Sequence, residues 1–241
     1  MRGIVVAAVL PFHALWAQKS HCNEKVRYSA IRMDEPPGKA KIIHFVRHAE
    51  GHHNVAGRKN PLTGYLNEKL EDACLTEEGV AQCKMLATTS PKVVEKAQLL
   101  VVSPMNRTMQ TATIAFPQLQ DKIPWVAVEN LRERTGLHPC DRRKSVTIHK
   151  KSFPHVDFSN VKDDKDTLYW KYNLREPNSD VTARARLFME WLKERPETEI
   201  IVVTHHGYLL DLLGEVVRTS NPSVDATDFN NCEMRTFIIK F

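Results

Sequence analysis

The chain has 241 residues, a length that suits one large α/β domain with a substantial core and does not require a second domain. Its formal net charge of +5 is mild, and its basic residues are scattered apart from short clusters such as residues 142–144. This balance argues against a nucleic-acid-binding surface and favours a small anionic ligand.

The amino terminus has the outline of a leader segment. Residues 1–17 place Arg2 before an apolar but interrupted run, as in a signal peptide, although Leu15 stands where a small residue is expected if cleavage follows Ala17. The run is too short to span a bilayer as a stable helix, and we expect no membrane partner. We therefore expect a secreted or endomembrane protein if the leader is a signal peptide and a cytoplasmic protein otherwise, with residues 18–40 as a polar linker.

From residue 41 to residue 241 the chain predicts a single α/β domain. Apolar, β-branched runs are typical of buried strands, and the segments between several of them carry apolar side chains at helical spacing. Thr76 is a suitable N-cap for the first of these helices. The predicted strands are residues 41–46, 97–103, 125–128, 199–204 and 235–239, and the later helices are residues 105–116 and 180–194.

Two segments depart from the alternation of strands and helices. Residues 51–73 are polar and contain Gly57, Pro61 and Gly64, which predicts a long loop near the mouth of a site. Residues 134–178 are rich in Pro, Asp, Lys and aromatic residues, which predicts an irregular insertion or cap. We expect the selectivity for substrate to reside in this insertion.

Several predicted strands end in side chains that suit phosphate chemistry. Arg47 and His48 follow the first strand, Arg107 lies in the first turn of the helix after the second, and His205 follows the strand at 199–204. Ligands of open α/β sheets bind at the carboxyl ends of the strands, so we expect these side chains to meet. Arginine offers a fixed fork of donors to phosphate oxygens, and neutral histidine can act as a nucleophile. The pattern predicts capture of a phosphoryl group.

The other histidines and the cysteines give no comparable signal. His44 lies on a strand, and no carboxylate pair at ligand spacing accompanies His52 and His53, so no metal site is expected. We interpret His206 as a neighbour of His205 that packs against it or supports the site without touching the ligand. Five cysteines without Cys-x-x-Cys spacing do not form a complete disulfide framework, and whether one or two disulfides form depends on the leader.

The ordered motifs resemble those of the histidine phosphatase superfamily, which has the phosphoglycerate-mutase-like fold. The resemblance implies a three-layer α/β/α sandwich with a mostly parallel central sheet. The signatures of plant and fungal phosphoglycerate-mutase-like proteins are the most similar, at residues 47–57, 136–141 and 231–235. The motifs shared with the whole superfamily are Arg47-His48 with Asn54, residues 75–79, Ser103-Pro104 with Arg107 and residues 110–112, residues 131–133, and Val203-Thr204-His205 before Gly207.

The resemblance also implies a role for each strand-end residue. His48 would be the nucleophile that becomes phosphohistidine, and Arg47 with Arg107 would clamp the phosphoryl oxygens. His205 would be a further catalytic residue that donates a hydrogen bond to the same group. No cofactor is implied.

Two further residues receive roles from the same resemblance. Glu133 would be the general acid, with Glu129 and Glu50 as competing candidates. Asn54 would bind the phosphoryl group or orient the loop that carries it.

The expected activity is that of a metal-independent phosphomonoesterase that acts on a small phosphorylated metabolite. The first alternative is a phosphoglycerate or sugar-phosphate mutase, but His53 stands where cofactor-dependent mutases of the family carry Trp, and residues 134–136 also depart from the mutase pattern. The second alternative is a non-catalytic phosphate-binding module, which the full set of candidate site residues disfavours. Residues 142–144 could bind a second anionic group.

Overall fold

A computed structural model describes residues 5–10, 40–218 and 226–241. The described strands are β1 (Val5–Leu10), β2 (Ala40–Arg47), β3 (Leu99–Val102), β4 (Trp125–Ala127), β5 (Glu199–Thr204) and β6 (Met234–Lys240). They form one sheet in the order β1-β6-β2-β5-β3-β4. The four strands from β2 to β4 in that order run parallel, while β6 is antiparallel to both of its neighbours. The strands predicted beyond residue 40 are therefore confirmed, to within two residues at their ends.

Helices cover both faces of this sheet, which confirms the predicted α/β/α sandwich. The helices are α1 (His52–Lys59), α2 (Glu77–Thr89), α3 (Pro91–Lys96), α4 (Asn106–Ala115), α5 (Val146–Ser152), α6 (Asn178–Glu194) and α7 (His206–Asp211), which continues as a π-helical segment over Leu212–Val217. Neighbouring residues of a strand point to opposite faces, so Val101 packs into the core beneath α6 and α7 while Val102 packs into the core beneath α2 and α4.

The register of the central strands brings their carboxyl ends to one level. Arg47 of β2 pairs with Thr204 of β5, and the backbone N–H of His48 donates to the Thr204 carbonyl at 2.9 Å. On the other side of β5, the N–H of Ser103 donates to the carbonyl of Val203 at 3.0 Å. The residues that follow β2, β3 and β5 therefore lie side by side.

Helix α2 begins at the predicted cap. The Thr76 hydroxyl accepts a hydrogen bond from the Gly79 N–H at 3.0 Å and donates one to the Glu50 carboxylate at 2.7 Å. A Cβ on Gly79 would lie 2.1 Å from the Glu50 carbonyl oxygen, so glycine is needed where the helix meets the loop after β2. The motif thus fixes α2 against the segment that follows His48.

The prediction of a long loop over residues 51–73 was wrong, because α1 and two short 3₁₀ turns occupy much of it. The glycines in this segment permit close packing and do not interrupt the helix. A Cβ on Gly57 would lie 2.2 Å from the ring of Tyr65, and a Cβ on Gly64 would lie 2.1 Å from the carbonyl oxygen of Ala56. The two glycines allow the turn that carries Tyr65 to lie directly on α1.

The insertion predicted over residues 134–178 is irregular apart from α5 and one short 3₁₀ turn. Buried carboxylates hold it in place. Asp166 accepts hydrogen bonds from both terminal nitrogens of Arg132 and from the backbone N–H of Arg143. Asp72 likewise binds the backbone N–H groups of Asn106 and Lys144 at 2.8 and 2.9 Å. The insertion is therefore attached to the domain by charged side chains and backbone amides.

The predicted leader and linker lie outside the described residues, apart from β1 and the first residue of β2, and they stay predictions. Of the cysteines, Cys74, Cys83, Cys140 and Cys232 are described and are free thiols. In the described part of the chain, no helix has the length and apolar character needed to cross a membrane.

Candidate active site

A cavity of about 290 Å³ opens at the carboxyl ends of the parallel strands. Five of the six predicted site residues line it, namely Arg47, His48, Asn54, Arg107 and Glu133. The sixth, His205, is fully buried directly behind it, with its ring centroid 5.2 Å from that of His48. The fold therefore brings all six predicted residues to one place.

His48 is held in the form that a nucleophile requires. Its Nδ1 donates a hydrogen bond to the carbonyl of Ala49 at 2.7 Å, so the neutral ring carries its lone pair on Nε2. Burial and the positive charges of Arg107 and Arg47 lower the pKa of His48 well below the usual 6.5. The imidazole therefore stays neutral at neutral pH and has one nitrogen available for attack.

Arg107 is fixed by three different partners. Its Nε donates to His205 Nδ1 at 3.3 Å, one terminal nitrogen donates to the carbonyl of Cys140 at 2.7 Å, and the other donates to Asp141 at 2.8 Å. Each terminal nitrogen retains a second N–H, because a guanidinium has five donors. A buried guanidinium held in one plane is suited to bind two oxygens of a phosphoryl group.

Arg47 has a donor that no described residue satisfies. One terminal nitrogen donates to the carbonyl of Phe229 at 2.6 Å, while the buried Nε has no hydrogen-bond partner. Unpaired buried donors are destabilising and are commonly satisfied by a ligand. The unpaired donor at the edge of the cavity therefore favours an anion bound beside His48.

His205 has both ring nitrogens occupied. Because an arginine can only donate, the bond from Arg107 makes His205 Nδ1 an acceptor, and the proton of the neutral ring lies on Nε2, which donates to Ser103 at 2.8 Å. Burial and the charge of Arg107 lower the pKa of His205 well below 6.5. The hydrogen bond expected from His205 to a phosphoryl oxygen would require one of these bonds to break.

Glu133 lies at the amino terminus of α7. One carboxylate oxygen accepts the backbone N–H groups of Arg134 and Tyr208 at 2.9 and 3.1 Å, and the other accepts that of Gly207 at 3.0 Å. A Cβ on Gly207 would lie 2.5 Å from this carboxylate, so a larger residue there would displace the carboxylate. The second oxygen accepts a single N–H and keeps a lone pair that can carry a proton.

The competing glutamates lie elsewhere. Glu129 is buried against Arg132, with 2.8 Å between the carboxylate and the guanidinium, and Glu50 is paired with Arg58 and Thr76. Neither of them lines the cavity.

Asn54 closes the first turn of α1. Its side-chain oxygen accepts the backbone N–H of Gly51 at 2.9 Å, and the residue also lines the cavity. Its position fits both expected roles, which were to orient the loop and to face the ligand.

Several cavity residues were given no role at the site on the basis of the sequence. His53 is 5% exposed and its ring centroid lies 5.4 Å from that of His48, while Tyr65 stacks on His138 with a centroid distance of 5.3 Å. His206, which was interpreted as a packing or supporting residue, also lines the cavity. The other cavity residues that the sequence gave no role are Arg134, Cys140, Asp141, Arg175 and Gly207, although residues 140 and 141 and Gly207 lie in the motifs.

The interpretation of residues 142–144 as an anion site was wrong. Arg142 pairs with Glu71 at 3.0 Å and lies over the ring of Trp170, and Arg143 is buried. Neither arginine lines the cavity. Arg134 and Arg175, which the fold of the insertion places at the cavity, add positive charge to that of Arg47 and Arg107.

The other histidines have separate environments. His44 hydrogen-bonds Thr236 at 2.8 Å and Glu199 at 3.2 Å within the sheet, and His52 is exposed. Within the described residues, no three His, Cys, Asp or Glu side chains are grouped so that they could hold a metal ion.

A sandwich of this topology, with Arg and His gathered where β2, β3 and β5 end, has the histidine phosphatase fold. The chain belongs to the histidine phosphatase superfamily (branch 1), whose family model matches residues 43–240. A phosphoglycerate mutase-like protein of Arabidopsis thaliana is 37% identical over 235 residues, which cover 85% of this chain and 86% of the relative.

More distant proteins are similar in sequence or in structure. A probable phosphatase of Schizosaccharomyces pombe is 27% identical over 207 residues, covering 82% of this chain and 89% of that protein. The structure of a putative alpha-ribazole-5'-P phosphatase from Escherichia coli has a TM-score of 0.56 at 18% identity and covers 82% of this chain and 90% of its own. A mycobacterial glucosyl-3-phosphoglycerate phosphatase has a TM-score of 0.50 at 20% identity, covering 81% and 92%.

Proposed function

We propose that the protein is a metal-independent phosphomonoesterase that forms a phosphohistidine intermediate on His48 with a small phosphorylated metabolite. The observation that carries this proposal is a neutral imidazole with a free Nε2, held in the cavity beside Arg47 and Arg107. This arrangement supplies a nucleophile and charge neutralisation, which are two requirements of phosphoryl transfer. Glu133 on the cavity wall supplies the third, a proton donor.

In the first step His48 Nε2 attacks phosphorus. The N–P bond forms as the bond from phosphorus to the leaving oxygen breaks, and protonated Glu133 gives its proton to that oxygen, which departs as an alcohol. Arg47 and Arg107 neutralise the charge on the remaining phosphoryl oxygens.

In the second step water attacks the phosphohistidine. The new O–P bond forms as the N–P bond breaks, the electron pair returns to His48 Nε2, and the Glu133 carboxylate takes the proton from water. The hydrogen bond from Nδ1 to Ala49 keeps the ring in one tautomer throughout, so the enzyme returns to its starting state.

The test is phosphate release from sugar phosphates, phosphoglycerates and an aryl phosphate, measured with a chelator present. We expect release that survives the chelator and that disappears in His48→Ala. Release that requires an added metal ion, or that persists in a folded His48→Ala variant, would contradict the proposal.

A mutase is the second candidate, because several relatives are named as phosphoglycerate mutase-like proteins. A mutase would return the phosphoryl group from His48 to a hydroxyl of the substrate instead of to water. A bisphosphorylated primer separates the two activities: a mutase moves the group without releasing phosphate, whereas a phosphatase releases phosphate with or without the primer. A non-catalytic phosphate-binding module would bind phosphate and do neither.

A further inference from the structure

Three neutral imidazoles are packed together at the base of the cavity. The ring centroids of His53 and His205 lie 5.4 and 5.2 Å from that of His48. Burial and the charge of Arg107 lower the pKa of all three histidines well below 6.5. Each ring therefore offers one N–H and one lone pair.

The partners of these rings differ. His205 uses both of its nitrogens on Arg107 and Ser103, and it does not line the cavity. His48 uses Nδ1 on the Ala49 carbonyl and keeps Nε2 for attack. His53 lines the cavity and makes no hydrogen bond to any described residue through either ring nitrogen, and its Nδ1 is fully buried. Of these three rings, only that of His53 has an N–H without a hydrogen-bond acceptor among the described residues.

The space for the His53 ring depends on the glycine at position 51. A Cβ on Gly51 would lie 2.7 Å from His53 Nδ1, so any larger residue would displace the imidazole. Tyr65 lies on another side, with a centroid distance of 6.3 Å. The ring is therefore confined next to His48 although none of its polar atoms is satisfied by the described protein.

We infer that His53 is a further catalytic residue, whose Nε2–H donates a hydrogen bond to an oxygen of the phosphoryl group on its way to and from His48, since the buried Nδ1 lies against Gly51. An apolar side chain would fill the same space without leaving a buried polar group unpaired, so packing alone does not account for histidine at this position. The assignment rests on the proposed function for its place in the reaction, but anion binding tests it without turnover.

The first test measures the binding of orthovanadate to the full chain by calorimetry. We expect His53→Leu to weaken binding roughly tenfold or more, because a donor to a charged group is lost, and His53→Gln to stay within about threefold, because it retains a neutral donor. The exposed neighbour supplies the control, and His52→Leu should bind as the wild type does. Wild-type affinity in His53→Leu, or equal loss in His53→Gln and His53→Leu, would overturn the assignment.

The second test uses the unaltered protein, so it does not depend on the folding of a variant. Nitrogen-15 resonances of the histidine rings are recorded before and after orthovanadate is added, with His53→Gln used only to assign signals. We expect the ring nitrogens of His53 to shift and the N–H of His205 to keep its bond to Ser103. A shift at His205 without one at His53 would transfer the role to His205 and overturn the assignment.

The two proposals fail in different ways. If orthovanadate binding depends on His53 as expected but no substrate releases phosphate, the assignment of His53 stands and the phosphomonoesterase is excluded. If phosphate is released and His53→Leu matches the wild type in kcat/KM and in orthovanadate affinity, the enzyme stands and the assignment fails.

Discussion

At the scale of single residues, one hydrogen bond decides which atom of the site can react. The carbonyl of Ala49 holds the proton of His48 on Nδ1, and burial together with the charges of Arg107 and Arg47 lowers the pKa of the ring, so it does not take up a second proton at neutral pH. Nucleophilicity at Nε2 therefore depends on the backbone conformation directly after β2.

Replacement of this ring tests the role directly. We expect His48→Ala to lower kcat roughly a thousandfold or more while the circular dichroism spectrum stays that of the wild type, because the ring contributes chemistry at the cavity wall. Phosphate release on the best substrate is the measurement. As a control, His52→Ala changes an exposed histidine in the same segment and should leave turnover unaltered. Full activity in His48→Ala would contradict the proposal that His48 is the nucleophile.

Asp141 connects Arg107 to the insertion. Its two oxygens bind Arg107 at 2.8 Å and Arg175 at 2.7 Å, and the carboxylate is buried. Loss of its charge leaves a buried guanidinium without its counterion, so we expect Asp141→Asn to lower the free energy of unfolding by about 3 kcal/mol and to lower kcat/KM. Urea unfolding and steady-state kinetics measure the two effects.

A surface carboxylate gives the matched control for that substitution. Glu71 pairs with Arg142, and both side chains are partly exposed. Glu71→Gln should change the free energy of unfolding by less than about 1 kcal/mol, because exposed ion pairs contribute little. Equal effects of the two substitutions would show that burial of Asp141 has no energetic consequence.

At the scale of elements, the start of α7 positions the candidate acid. Gly207→Ala would place a Cβ 2.5 Å from the carboxylate of Glu133, so we expect the carboxylate to move and kcat to fall roughly a hundredfold. Gly214 is the control, because a Cβ there meets no atom within 4 Å. Gly214→Ala should keep full turnover, and its stability should be equal or higher because alanine favours helix. A Gly207→Ala variant with unchanged kcat would show that Glu133 is not the acid.

The elements also show which parts of the site a sequence can predict. Arg47, His48 and His205 were found because strand periodicity is local and ligands gather at the carboxyl ends of parallel strands. Tyr65 and Arg175 were not found, because no periodicity governs the segments that carry them. Helix α1 was missed because a glycine that permits packing and a glycine that breaks a helix look identical in a sequence.

The same limit explains Arg142 and Arg143. A run of basic residues indicates positive charge but not the direction in which each side chain points. Arg142 pairs with Glu71 and Arg143 with Glu129 because of the path that the insertion takes. That path depends on buried contacts such as the ion pair of Asp166 with Arg132.

At the scale of the whole molecule, the cluster of neutral histidines makes stability depend on pH. His48, His53 and His205 have pKa values well below 6.5 when folded, and near 6.5 when the chain is unfolded. Below pH 6.5 the unfolded chain therefore binds more protons than the folded one, so this contribution to stability is complete above pH 6.5 and is lost as the pH falls.

The expected slope is up to about 1.4 kcal/mol per pH unit for each of the three histidines. Urea unfolding between pH 7.5 and pH 5.5 measures this slope. His53→Gln should reduce it by the contribution of one histidine, because the unfolded variant binds about one proton fewer. A free energy of unfolding that stays constant across this range would contradict the burial of these rings in neutral form.

The pairing of β2 with β5 has a consequence for the synthesis of the protein. The proposed nucleophile, His48, leaves the ribosome before His205, which hydrogen-bonds Ser103, and before the antiparallel strand β6 that pairs with β2. At roughly 5–20 residues per second, the segment between them takes on the order of ten seconds to appear. A nascent chain carrying His48 thus has no complete site until β5 and β6 have also left the ribosome, so the proposed chemistry of His48 requires strands that are made long after it.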